Sequence, residues 1–170
     1  MDTLLWGLIP YWSKDGKTGF INARAERIDV APAFRRPFHK RRYLIAADGL
    51  YDWKKTPEGR IPYSIEMKDA SPFIFAGLWD GWQNPDTKEW LRSCVIITGE
   101  PNELVAEIHN RMPVILTPET REEWLTGEAG KEILRPVPAV RAISKRINKP
   151  ENDDPSVLEE SEVDHVGWLI

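Results

Sequence analysis

His109-Asn110-Arg111-Met112-Pro113 places an imidazole and a guanidinium two residues apart, between the apolar segments Leu104-Val105-Ala106 and Val114-Ile115-Leu116. Charged groups between core segments need a reason, because burying a charge is costly unless it is paired. His109 can give or take a proton near neutral pH; alternatively it caps a helix C-terminus. Two further polar islands lie upstream. Asn22-Ala23-Arg24-Ala25-Glu26 follows Phe20-Ile21, and Gly49-Leu50-Tyr51-Asp52-Trp53 follows Tyr43-Leu44-Ile45-Ala46-Ala47. Asn22 can orient a carbonyl or hydroxyl, or it is an ordinary strand or turn asparagine. Arg24 and Arg111 can each hold a phosphate bidentately, or pair with Glu26, Asp52 or Glu107 within the fold. Asp52, between Tyr51 and Trp53, is expected to have its pKa raised by two rings, as suits a general acid; otherwise it pairs with Lys54, Lys55 or an arginine. Tyr11-Trp12 precedes the polar run Ser13-Lys14-Asp15-Gly16-Lys17 and is expected to be an exposed aromatic pair able to stack on unpaired bases. Three islands so far apart suggest one site assembled by folding.

Fourteen prolines and eleven glycines cut the chain into the short pieces of a mostly antiparallel, barrel-like sheet with a few helices. Strands are expected over Tyr43–Ala47, Leu50–Lys54, Ile61–Met67, Phe73–Trp82, Leu91–Thr98 and Val114–Leu116. Asn84-Pro85-Asp86-Thr87-Lys88 supplies the turn that makes Phe73–Thr98 a hairpin. Helices are expected over Ala31–Arg42, kinked or split by Pro37. A second should cover Pro101–Ile108, with the proline first and His109 just past its end. A third should run from a Thr117 cap through Trp124. Lys149–Pro155 is expected to be irregular, and Trp79 and Trp82 to belong to the core.

The 170 residues fit one domain. No apolar run reaches the ~20 residues of a membrane helix, and no signal peptide is visible. Cys94 is the sole cysteine, which excludes an internal disulfide and fits a reducing, cytoplasmic setting. Within an expected strand it should be a small buried hydrophobe rather than a nucleophile. His39, His109 and His165 lie far apart, so no metal site is expected. No phosphate-binding loop, dinucleotide fingerprint or nucleophile elbow is present. The net charge of −4 argues against a nucleic-acid partner, but the distribution reverses this. Seven acidic and no basic residues lie from Pro150 onward, leaving 23 basic and 20 acidic residues before them. The densest basic run, Arg35, Arg36, Lys40, Arg41 and Arg42, either meets phosphate or forms a solvated helix face.

The islands together resemble the SOS-response-associated peptidase family, also called abasic-site processing proteins. The matching stretches are Trp6-Gly7-Leu8-Ile9-Pro10-Tyr11-Trp12, Ile21–Glu26, Ala47-Asp48-Gly49-Leu50-Tyr51-Asp52-Trp53-Lys54, Phe75-Ala76-Gly77-Leu78-Trp79, Ile108–Leu116 and Asn148–Pro155. The resemblance implies a single α+β domain over residues 1–155 on a curved antiparallel sheet, followed by an acidic tail over 156–170. It implies no cofactor or metal. The partner it implies is single-stranded DNA carrying an abasic site. Such proteins link an N-terminal cysteine to the ring-opened sugar aldehyde, its α-amine forming a Schiff base and its thiol closing a thiazolidine. The same nucleophile is thought to remove an N-terminal extension. By this likeness Asn22 holds the amine or the linkage, Arg24 grips phosphate beside the lesion, and His109 shuttles a proton at the sugar oxygen. Arg111 faces DNA, and Tyr11 and Trp12 prop bases apart. Asp52 stands where the family usually has glutamate, a retraction of about 1 Å, a scale that catalytic positioning feels.

The family begins Met-Cys-Gly-Arg and has a further segment before the Trp-Gly-Leu-Ile-Pro motif, whereas this sequence reads Met1-Asp2-Thr3-Leu4-Leu5. The nucleophile is therefore expected to be missing, and Cys94, having no free α-amine, does not replace it. A fragment or misplaced start is favoured over a degenerate paralogue or a residual groove that binds DNA without chemistry, with an exposed sheet edge and self-association as its consequence. Two other functions stand beside this one. The chain is a binding module for single-stranded DNA or a protein, without catalysis; or it is an unrelated hydrolase using Asp52 and His109 with an activated water.

Overall fold

The computed structural model describes residues 3–17, 19–137 and 140–144, so Lys149–Pro155, the acidic tail and His165 lie outside the described residues. In chain order the strands are β1 (Leu5–Trp6), β2 (Asn22–Arg24), β3 (Arg42–Ala47), β4 (Leu50–Thr56), β5 (Gly59–Met67), β6 (Phe73–Gln83), β7 (Trp90–Gly99), β8 (Met112–Pro113) and β9 (Val140–Ser144). The α-helices are α1 (Arg35–Lys40), α2 (Glu103–Ala106) and α3 (Pro118–Thr126).

The long apolar strands β6 and β7 form the expected hairpin, Gly77 pairing Ile96 and Gln83 pairing Trp90. Asn84 closes its turn by accepting the Asp86 and Thr87 N–H groups at 2.8 and 3.2 Å. β3 flanks β6 antiparallel. On the other edge of β7, β1 lies beside Ser93–Cys94 and β2 beside Ile96–Thr98, both parallel. Below Gly77 and Ile96 the hairpin forks, and residues 112–116 enter the gap. Val114 N–H donates to the Ile97 carbonyl and Ala76 N–H to the Val114 carbonyl, both at 2.9 Å. Leu116 N–H reaches the Ile74 carbonyl at 2.7 Å. A second sheet, β4-β5-β9, is antiparallel throughout. The class is thus α+β as expected. Among the described residues the strands form a six-stranded mixed sheet and a three-stranded one rather than a closed barrel.

Side chains alternate across a sheet, so β7 feeds two cores. Val95 and Ile97 join Leu8, Ile28, Phe38 and Trp124 beneath α1 and α3. Ile96 faces the opposite way, toward Tyr63, Phe75, Ile108 and Met112 under the second sheet and α2. The chain crosses between sheets at Asp48-Gly49, where a Cβ on Gly49 would stand 3.1 Å from the Ile65 carbonyl oxygen.

Several elements depart from expectation for identifiable reasons. Pro37 neither kinks nor splits a helix, because α1 starts only at Arg35. Its missing N–H therefore falls in a first turn, where no helical bond is needed. α2 is shorter than Pro101–Ile108 and is capped by Asn102, whose Oδ1 accepts Val105 N–H at 2.9 Å. α3 follows Thr117 but runs two residues past Trp124 to a left-handed Gly127 at φ 80°. The Thr117 side chain makes no capping bond to the helix backbone. The expected Val114–Leu116 strand is instead the short β8 plus a single bridge at Ile115. Trp82 is buried as expected and Trp79 only half-buried, while Trp124 is fully enclosed.

The basic run divides. Arg35, Arg36 and Lys40 are exposed, but Arg41 and Arg42 turn partly inward. Arg42 donates to the carbonyls of Phe38 at 2.8 Å, Ala129 at 2.6 Å and Trp124 at 3.2 Å. It also lies over the Phe38 and Trp124 rings. Burial lowers its pKa. It ties α1, β3 and the end of α3 together, so its job is architectural.

Candidate functional site

His109 is delivered by α2. Its backbone N–H donates to the Val105 carbonyl at 2.8 Å, ending the helix where the ring projects. The side chain is 42% exposed, and Nδ1 lies 3.9 Å from Oδ2 of Asp52, itself 24% exposed. At that separation the two attract without a hydrogen bond. Nδ1 instead accepts the Arg111 N–H at 3.1 Å. An imidazole accepting at Nδ1 carries its proton on Nε2, which leaves an N–H for a ligand.

Asp52 reaches this position because β4 alternates. Asp52 pairs with Tyr63 and its neighbour Leu50 pairs with Ile65, so all four point to the core side of the second sheet. Tyr51 and Trp53 point to the other face and are 46% and 39% exposed. The carboxyl therefore does not sit between the two rings, as adjacency in sequence implied. Oδ1 accepts the Trp53 N–H at 2.8 Å.

Arg111 is held at its far end. Its guanidinium donates to both Glu26 oxygens at 2.6 and 2.9 Å and to the Thr98 carbonyl at 2.6 Å. Those bonds hold the Glu26 carboxyl below its ordinary value, the Arg111 hydrogen bond being the largest cause. Arg111 thus takes the internal pairing with Glu26. Asn22 and Arg24 stand on β2 opposite Ile96 and Thr98, with Ala23 buried between them. Parallel register partners project to the same side, so both side chains share the sheet face that carries α2 and the second sheet. Both are exposed. Arg24 is the register partner of Thr98, whose carbonyl anchors Arg111. The structure therefore links Asp52, His109, Arg111 and Glu26, with Arg24 one strand away. Asn22 shares their face but makes no hydrogen bond to them.

Tyr11 and Trp12 are each 51% exposed and belong to a separate patch. Their loop is clamped from β6 and β7. Ser93 Oγ accepts Ile9 N–H at 2.8 Å, Asp80 Oδ2 accepts Tyr11 N–H at 3.0 Å, and Trp82 Nε1 donates to the Ser13 carbonyl at 2.8 Å. Arg36 lies 4.4 Å over the Tyr11 ring. A recess of about 280 Å³ opens beside Trp12, lined by Pro10, Ser13, Lys14 and Phe20. Thr98 lies five residues along β7 from Ser93, roughly 17 Å at the usual strand rise. Asp80, wholly buried and paired with Arg41, was missed in the sequence. A lone carboxylate inside an eleven-residue apolar strand was the signal. Cys94 is buried as expected, and burial raises its pKa. Among the described residues no three metal-ligating side chains cluster. No helix among them is long and apolar enough to cross a membrane.

Comparison with known proteins fits this geometry to one family. Residues 1–150 match the family model described as SOS response associated peptidase. The abasic site processing protein YoqW of Bacillus subtilis is 42% identical over 168 residues, covering 92% of this chain and 75% of its own. HMCES of Gallus gallus, also named an abasic site processing protein, is 31% identical over 186 residues, covering 90% of this chain and 55% of its own. A crystal structure of a Bacteroides thetaiotaomicron protein superposes with a TM-score of 0.84 at 32% identity, covering 92% of this chain and 75% of that one. With its domain match, its relatives and its fold in agreement, this chain belongs to the SOS response associated peptidase family.

Proposed function

We propose that the chain recognises single-stranded DNA at an abasic site, with the opened sugar placed between Asn22, Asp52 and His109. The observation that carries this is the meeting of Asp52 and His109 at 3.9 Å, brought together from β4 and the end of α2. Beside them Arg24 offers an exposed guanidinium for a phosphate. With Nδ1 accepting from Arg111, His109 is a neutral imidazole whose Nε2–H can donate a hydrogen bond to the sugar oxygen as the ring opens, with the Asp52 carboxylate beside it to accept from a sugar hydroxyl. Arg111, occupied by Glu26, supports the loop rather than the phosphate. Tyr11 and Trp12 offer a second contact along the strand, stacking on bases beyond the lesion. Covalent capture as a thiazolidine needs a terminal cysteine with a free α-amine, and removal of an N-terminal extension needs the same residue's thiol. Cys94 is internal and buried, so it supplies neither. A binding module without chemistry is the second reading, favoured by the Asp52–His109 distance, which is too long for a hydrogen bond.

The test uses abasic, intact single-stranded and duplex oligonucleotides in native and denaturing gels. A shift on native gels that prefers the abasic single strand, and vanishes on denaturation, is expected. Arg24→Ala should weaken binding to every single strand, whereas Asn22→Ala and His109→Ala should remove only the preference for the lesion. Equal affinity for all three DNAs would refute the assignment.

A further inference from the structure

We propose that Glu26 is a positioning residue for His109, acting through Arg111. The role builds on the reading of His109 as a hydrogen-bond donor through Nε2, but the device itself can be observed without DNA.

The His109 Nδ1 atom faces two groups of the same residue. Arg111 N lies 3.1 Å away and its N–H points at Nδ1; the Arg111 carbonyl oxygen lies 3.3 Å away. The first contact makes Nδ1 an acceptor and leaves the proton on Nε2. The second would make Nδ1 the donor and strip Nε2 of its proton, and the Asp52 carboxylate on the same side favours that alternative. A modest rotation of the Arg111 backbone selects between them. A hydrogen bond donated from Nε2 needs the proton on that atom, so the backbone must be held in one setting.

Arg111 is held on both sides of that backbone. Met112 and Pro113, next in the chain, pair with Gly99 and Thr98. The side chain is fixed at its tip by the two-pronged pair with Glu26 and by the Thr98 carbonyl. A bidentate guanidinium–carboxylate pair fixes orientation as well as distance. Glu26 in turn sits on the single 3₁₀ turn, Ala25–Arg27, that directly continues β2. The motif that carries Asn22 and Arg24 therefore also sets the proton on His109.

The test reads the ring directly. Long-range proton–nitrogen spectra of histidine-labelled full-length chain, recorded near pH 8, report which ring nitrogen carries the proton; His39 and His165 are internal references. Wild type should show His109 with its proton on Nε2. Glu26→Ala should raise the Nδ1–H share at least threefold and speed exchange of the Arg111 amide about tenfold. Arg111→Ala should do the same, and the double variant no more than either alone, since both cut one brace. Glu26→Gln, which keeps one oxygen acceptor, should fall between. If Glu26→Ala folds and leaves the His109 nitrogens unchanged, or lowers only the melting temperature, the proposal fails. Should Glu26→Ala not fold, Glu26→Gln decides by the same spectra. Loss of abasic-site preference in the gels with an intact Glu26 effect would instead sink the functional reading alone.

Discussion

Asp80 is the most consequential residue that has no part in chemistry. It is 0% exposed and accepts from three donors: the Arg41 guanidinium, Tyr11 N–H at 3.0 Å and Gly81 N–H at 2.9 Å. Asp80→Asn keeps shape and volume but replaces one oxygen by an NH₂ group. At least one of the three donors then faces another donor, and the pair with Arg41 becomes charge against dipole. Hydrogen bonds to charged groups are each worth about 1.5–3 kcal/mol, and breaking a buried pair costs about 3–5 kcal/mol. Arg41 is 22% exposed at its side chain and regains some water, so the loss should sit at the low end, about 3 kcal/mol. For a domain of this length that is a fall in Tm of roughly 6–12 °C. Urea titration followed by tryptophan fluorescence measures it. Released from Asp80, the Tyr11–Trp12 loop should also become more open to acrylamide quenching. Arg41→Met combined with Asp80→Asn should cost clearly less than the sum of the two, because the second change removes the charge that the first left stranded. A loss below about 1 kcal/mol in Asp80→Asn, or strict additivity, would refute the account of the clamp.

Cys94 should label with iodoacetamide at neutral pH far more slowly than a free thiol, because burial both hides it and raises its pKa above the ordinary 9.0; fast labelling of native protein would contradict this. The Glu26–Arg111 pair holds the Glu26 pKa below 4.5. Its contribution to stability is therefore present above that value and lost as pH falls through the lower folded pKa. Glu26→Gln should narrow the stability gap between pH 6 and pH 3, read by urea titration at each pH. Leu5, Trp6, Ile21 and Trp90 are 51%, 59%, 55% and 67% exposed along β1, the lead into β2 and the start of β7. The chain should accordingly self-associate at tens of micromolar in size-exclusion chromatography, and Trp90→Lys should shift it toward monomer. A monomeric wild type would remove this expectation.

The strands that alternate or run long, β3 to β7, were legible because their pattern is set by their own burial. β1 and β2 were not: at two and three residues they are strands only because β7 runs beside them. The three polar islands were visible as interruptions of apolar sequence, and Asp52 with His109 do meet. The surroundings of Asp52 were misread because neighbours in sequence are on opposite faces in a strand, so Tyr51 and Trp53 look away from it. Arg111 shows the limit of residue type as a guide. A guanidinium suits phosphate and carboxylate alike, and only the fold revealed that Glu26, 85 positions away, occupies it. Arg41 and Arg42 make the same point, since a basic run on paper splits into an ion pair and a set of carbonyl bonds.

The segment wedged into the fork between β6 and β7 has a consequence for how this rim meets a ligand. Residues 112–116 supply backbone partners to both arms of the hairpin. Lifting residues 112–116 would therefore unzip the central sheet, and the amides of Val114 and Leu116 should exchange only on opening of that sheet. A ligand arriving there finds an ordered backbone and loses little entropy in fixing it. The same seating leaves no room for insertions within residues 112–116. Variation in what the rim accepts is thus left to the flanks, to β2 on one side and the Tyr11–Trp12 loop farther along.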